Sequence, residues 1–257
     1  MKCGFRIFDK VILNYKKITP IVAIPNCKLH GYTSKVHQYL LVFEKPFSPC
    51  VQRILRSRRK KLLELFSGTG SVRKVALRMG YDVLSLDLSD ANLNIDILQW
   101  KYKMLPEGLF DVIWASPPCH TFSRMRTCWI GRRMREFGNR IVTEKLLNKS
   151  MYENGLPLLI RTEEIIDYFK PKYYFIENPK TGKMKNFCYR PYVDVSYCQY
   201  GYDYRKDTRI WTNLHFYGKT CNCFLPHARN VAHLSSLRER YSVPPRLIRE
   251  ILQAIET

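Results

Sequence analysis

Between residues 61 and 176 the apolar positions fall into short runs of two kinds. Nearly continuous apolar runs at 62–66, 82–87, 110–115 and 173–176 predict strands buried on both faces, and helically spaced apolar residues at 72–79 and 158–169 predict helices between them. Strands that alternate with helices imply an α/β domain built on a mainly parallel sheet with helices on both faces. Further runs at 192–197 and 209–211 read as the last strands, and 246–255, after Pro244-Pro245, as a C-terminal helix. Before residue 61 the pattern breaks up. Short β-like runs at 11–13, 21–24 and 39–43 are mixed with prolines and lysines and end in the basic stretch 53–61, which reads as an appended segment, either a solvated surface or a nucleic-acid contact.

Charge narrows the partner. Lys plus Arg number 43 against 22 Asp plus Glu, a formal net charge of +21 over 257 residues, which suits a polyanion and is hard to reconcile with a small-metabolite enzyme. No run of spanning length, basic amphipathic stretch or signal-peptide pattern argues for a membrane, so a soluble intracellular protein is expected. The nine cysteines, an odd count without an export signal, read as reduced thiols.

Three predicted strand ends carry chemistry. Phe66-Ser67-Gly68-Thr69-Gly70 forms a glycine turn between the first strand and its helix, where backbone can approach a ligand closely. It lacks the third glycine of the dinucleotide fingerprint and the Lys of a phosphate loop. Asp87 ends the second strand, placed to accept from ribose hydroxyls, and Asp96 follows as a partner for an adenine amino group. Cys119 sits in Ser116-Pro-Pro-Cys-His-Thr-Phe-Ser123, just past an apolar strand, and Glu177 in Glu177-Asn-Pro179 ends another. Singly, each has a plainer reading: a tight turn, a buried structural thiol, a helix boundary.

Together, and in this order, these segments resemble the cytosine-C5 methyltransferase family. Glu64-Leu-Phe-Ser-Gly-Thr-Gly70 is similar to the family's cofactor loop, Pro118-Cys-His-Thr-Phe-Ser123 to its catalytic Pro-Cys-Gln-x-Phe-Ser, and Glu177-Asn-Pro179 to its Glu-Asn-Val. Tyr200-Gly201 with Arg205 and Arg209 is similar to the arginine block, and Ser242-Val-Pro-Pro245 to the closing motif. The resemblance runs from about residue 61 to the C-terminus. It implies a class I, Rossmann-like fold, S-adenosylmethionine as cofactor and double-stranded DNA as partner, with RNA an open alternative. The nucleophile would be Cys119, aided by Glu177 and by Arg205 or Arg209, with thiolate formation helped by nearby cations. Cofactor contacts would come from Phe66 to Gly70, Asp87, Leu88, Asp96, Ile97, Ser116, Ser242 and Val243.

The resemblance also divides the chain into a basic segment (1–60), a catalytic domain (61–212), a recognition segment (213–240) much shorter than is usual, and a helix completing the domain (241–257). Compact members of this kind are found in phages and large DNA viruses. The stretch after the nucleophile, 124–140, holds six arginines and two glycines and corresponds to the loop that closes over a flipped base. Ser123, Arg124, Arg126, Arg132, Arg133 and Arg135 are its expected nucleic-acid contacts, with Trp129 or Met125 entering the vacated stack. Cys221, Cys223 and His227, with His215 or His233 nearby, are candidate metal ligands, although Cys-x-Cys departs from common zinc spacing. Two other readings compete. Ser116-Pro-Pro is similar to the motif of amino-methylating enzymes, but Cys119 replaces their stacking aromatic; and a catalytically inert nucleic-acid-binding homologue would carry the same charge and fold.

Overall fold

The computed structural model describes residues 47–231, 234 and 236–256. The runs expected at 11–13, 21–24 and 39–43 lie outside the described residues, as does His233. The compact unit that carries the sheet begins at Ser48. Its first element, α1 (Pro49–Arg56), buries Val51 and Ile54, so part of the stretch expected as an appendage is built into the fold.

Next come β1 (Lys61–Leu65), α2 (Ser71–Arg78), β2 (Asp82–Asp87), β3 (Leu93–Asn94) and β4 (Val112–Ala115). The chain then makes a small hairpin, β5 (Arg133–Met134) and β6 (Arg140–Ile141), followed by α3 (Glu144–Ser150) and α4 (Leu156–Phe169). After β7 (Tyr173–Pro179) and β8 (Tyr192–Ser196) come β9 (Tyr204–Arg205), β10 (Asp207–Thr212), β11 (Arg229–Asn230), α5 (Leu237–Tyr241) and α6 (Pro245–Ala254). Among the described residues the main sheet has the order β3-β2-β1-β4-β7-β10-β8. β3, β2, β1, β4 and β7 pair in parallel, while β10 runs antiparallel to both β7 and β8.

The expected mainly parallel α/β architecture is what the chain forms. In β1 and β4 every residue from Leu62 to Leu65 and from Val112 to Ala115 is buried, the signature of strands covered on both sides. Leu62, Val83, Val112, Trp114, Phe175 and Ile210 share one core with α2 and α6, whose Leu247, Ile248, Ile251 and Leu252 form an apolar stripe. The alternate residues Leu63, Ile113 and Ile176 face the other side and are fully buried too. α4 ends where Lys170 adopts φ 49°, the left-handed cap that lets its amide bond back to Ile166 (2.9 Å), and Pro171 follows. No helix among the described residues is long and apolar enough to cross a membrane.

Candidate active site

Parallel strands bring their carboxyl ends to one edge of the sheet, and the polar turns singled out above all lie there. After β1 the chain turns sharply: Phe66, Gly68 and Gly70 all have positive φ (57°, 47° and 65°), which permits the amide of Gly70 to bond Ser67 O at 2.7 Å. Asp87, at the end of β2, holds this turn from beside it. Its two carboxylate oxygens accept from the amides of Gly68 (2.7 Å) and Leu88 (2.6 Å). At the end of β4 the Ser116 amide bonds Leu65 O (3.2 Å), and the carbonyl of Pro117 accepts from Asn178 Nδ2 of β7 (2.8 Å). That last bond ties the Pro-Pro-Cys turn to the strand that carries Glu177.

These turns surround one cavity of about 510 Å³, a size ordinary for small-molecule sites. One part is edged by Phe66, Ser67, Gly68 and Thr69, with Asp87, Leu88, Asp96 and Ile97; another by Ser116, Cys119, His120 and Glu177. Val243 also lines it. Gly70 and Ser242 do not: Gly70 precedes α2, and Ser242 Oγ is bonded to Tyr202 Oη at 2.7 Å. The donor set fits an adenosyl group. A carboxylate, a turn with close backbone approach and the buried hydroxyl of Ser67, which has no hydrogen-bond partner, all face the same space.

Glu64, Lys206 and Tyr241 also line the cavity. Glu64 is buried in β1, accepts from the Arg73 amide (3.2 Å), and burial pushes its carboxyl up to about 7. Its place within the glycine-loop motif was the available signal. Tyr241, which closes α5, is another lining residue. Lys206 is the third. Its Nζ lies 3.8 Å from Glu177 Oε1 and 4.8 Å from the centre of the Tyr197 ring, while Tyr197 Oη donates to the same Glu177 oxygen (2.8 Å).

Lys206 is the cation beside Glu177, and the two arginines are paired elsewhere. Arg205 pairs with Asp207, its Nε at 3.0 and 2.9 Å from the two carboxylate oxygens. Arg209 is held by Asp194 at 2.8 and 3.1 Å and stacks 3.5 Å from the centre of the Tyr192 ring. Neither lines the cavity among the described residues. For Arg209 strand alternation is the reason: it stands opposite Asn178 in the β10–β7 register, whereas Ile210 stands opposite Glu177.

Cys119 opens a short helical turn, and burial pushes its thiol above the ordinary cysteine value. The Lys206 ammonium opposes that shift and Glu177 adds to it. The expected help from nearby cations therefore reduces to one lysine that burial outweighs. His120 is pushed down by burial and by Arg126, which leaves its imidazole neutral at pH 7.

The arginine-rich stretch is ordered around a core of its own. Phe137, Val142 and Leu147 are buried there, with Trp129, Met134 and Leu146 packed against them. Arg126 is 4% exposed, ion-paired with Glu136 and set between the rings of Trp129 and Phe137 at 5.3 and 5.2 Å. Its side chain is thus packed within this core, and Trp129 is partly buried against it. Ser123 caps the turn by accepting from the Met125 amide (3.2 Å), while Met125, Arg124, Arg132, Arg133 and Arg135 are exposed.

No family model matches the chain. Among solved structures, the Entamoeba histolytica methyltransferase EhMeth is similar over 65% of this chain and 58% of that chain, at 16% identity and a TM-score of 0.37. The S. pombe Dnmt2 methyltransferase is similar over 63% and 53%, at 18% identity and a TM-score of 0.37. The match thus spans little more than half of each. In sequence, a "Probable DNA (cytosine-5)-methyltransferase" of Frog virus 3 (isolate Goorha) is 40% identical over 217 residues, covering 75% of this chain and 98% of that protein. At that identity and over that span, the chain belongs to the S-adenosylmethionine-dependent DNA (cytosine-5)-methyltransferases.

Proposed function

We propose that the protein methylates C5 of cytosine in double-stranded DNA by way of a transient bond between Cys119 Sγ and C6 of the base. The observation that carries this reading is the shared cavity, with Cys119, Glu177 and Lys206 on one part and the glycine turn with Asp87 on another. C5 of cytosine is a poor nucleophile. Addition of the sulfur to C6 makes it the carbon of an enamine, and the carboxyl of Glu177 gives a proton to N3 as the electrons move there. Lys206 takes the part expected of Arg205 or Arg209: it holds Glu177 and lowers the cost of a thiolate beside it. Once C5 carries the transferred methyl group, loss of its proton to water re-forms the C5–C6 double bond as the C6–sulfur bond breaks, and N3 returns its proton to Glu177, which restores the aromatic ring and frees the enzyme.

When bound, S-adenosylmethionine supplies a methyl group activated by a sulfonium. The residues that would hold it are the turn from Phe66 to Gly70, with Ser67 Oγ free to bond, Asp87 at the ribose, and Asp96 with Leu88 and Ile97 around the adenine. Ser116 and Val243 close the space, and Ser242 positions Val243 through its bond to Tyr202. The target base has to leave the duplex stack at a cost of roughly a few kcal/mol. Ser123 and the exposed Arg124, Arg132, Arg133 and Arg135 stand where phosphates would be gripped.

The test offers purified protein labelled S-adenosylmethionine with duplex DNA or with RNA and identifies the product nucleoside by mass spectrometry. The expected product is 5-methylcytosine in DNA, absent with Cys119→Ala. An N6-methyladenine or N4-methylcytosine product, methylation of RNA alone, or equal background activity in both proteins overturns the proposal.

A further inference from the structure

The candidate metal ligands gain a fourth member that no sequence spacing supplied. Cys198 lies in the turn Tyr197–Tyr200 after β8, and Cys221, Cys223 and His227 come from the stretch beyond β10. The three sulfurs and one imidazole nitrogen all lie within 4.8 Å of one another. A zinc tetrahedron with bonds of about 2.3 Å to sulfur needs ligand separations of roughly 3.8 Å, so the four atoms close on a metal with small side-chain adjustments. Cys221 Sγ is already 3.6 Å from His227 Nε2.

We propose that Cys198, Cys221, Cys223 and His227 bind one zinc ion, a closed structural site that clamps residues 221–227 onto the turn after β8. Donor chemistry selects the metal: three thiolates with one imidazole in a tetrahedral set suit zinc and exclude the oxygen-seeking calcium and magnesium. The groups around the ligands are those a thiolate centre needs. Gln199 Nε2 donates to Cys223 Sγ (3.4 Å), and the Cys221 amide is fixed by Ser196 Oγ (2.9 Å). Three thiolates leave the centre with a net negative charge. The clamp also reaches toward the active site, because Cys198 follows Tyr197, the residue that holds Glu177.

The competing possibilities are a disulfide among these cysteines and simple free thiols. All of the described cysteines are unbonded, Cys198, Cys221 and Cys223 included. The deciding experiment measures metal in the full chain purified without chelator, by elemental mass spectrometry, and then replaces it with cobalt. The expected result is one zinc per chain, lost in Cys223→Ser and His227→Ala but retained in Cys128→Ser, whose thiol is exposed elsewhere. The cobalt form is expected to show a sulfur-to-metal charge-transfer band and the intense visible bands of tetrahedral geometry. If a ligand variant is insoluble, the cobalt spectrum of the unaltered chain decides. Protein that stays metal-free after dialysis against zinc, a disulfide found by non-reducing peptide mapping, or a weak octahedral cobalt spectrum overturns the proposal.

Discussion

A buried nucleophile sets access against readiness, and Cys119 resolves the conflict toward the protonated form. Desolvation outweighs the single ammonium of Lys206, and the general +21 of the chain adds little because exposed charges are screened by water and salt. Alkylation of Cys119 by iodoacetamide, read by peptide mass spectrometry, is therefore expected to climb about tenfold per pH unit from 7 to 9 without levelling off. Lys206→Met lowers that rate throughout; a plateau below pH 8 contradicts the burial argument. Glu64 makes a parallel case. Its folded carboxyl titrates near 7 against an ordinary 4.5, so the folded state holds the proton more tightly than the unfolded chain. Its penalty on stability is thus absent below pH 4.5, grows as pH rises through 7 and is complete above. Glu64→Gln is expected to stabilise the fold at pH 8, by at most about 3 kcal/mol, and to leave it unchanged at pH 4.5. Thermal unfolding at the two pH values checks both signs.

Elements decide which of these residues meet. Cys119, Glu177 and Asp87 could be singled out in sequence because each lies at or just past the end of an apolar strand, and parallel strands gather such ends on one edge. The cation beside Glu177 was not: sequence favoured residue type and chose arginine, whereas Lys206, in the one-residue gap between β9 and β10, is the one of Arg205, Lys206 and Asp207 that lines the cavity. Cys198 was missed for a different reason, since its turn and the 221–227 stretch are joined only by folding. A third contact illegible in sequence is Gly155, in the π-helical joint between α3 and α4. A Cβ there would collide with Thr121 Oγ1, two residues on from Cys119, and stand 3.1 Å from the Phe122 ring. Gly155→Ala is expected to cost about 1–3 kcal/mol by overpacking and to reduce kcat more than it raises KM. Denaturant melts and steady-state kinetics test the two parts separately.

For the molecule as a whole, charge is read through salt. If the exposed arginines grip phosphates, log K for DNA falls linearly with log salt, and Arg132→Ala or Arg133→Ala each lowers the slope by about 0.9. Arg126→Ala is expected to leave that slope unchanged and lower the melting temperature, because its guanidinium is locked between Trp129, Phe137 and Glu136. Titrations at several salt concentrations separate the two classes. Sequence alone grouped these arginines together, since composition does not distinguish a side chain that packs from one that projects.

That locked arginine changes how the whole stretch can respond to a substrate. With its own apolar centre of Phe137, Val142 and Leu147, the stretch is preassembled. Ordering a floppy segment forfeits about 1–2 kcal/mol of backbone freedom per residue; a preassembled one is spared most of that cost when a base is extruded.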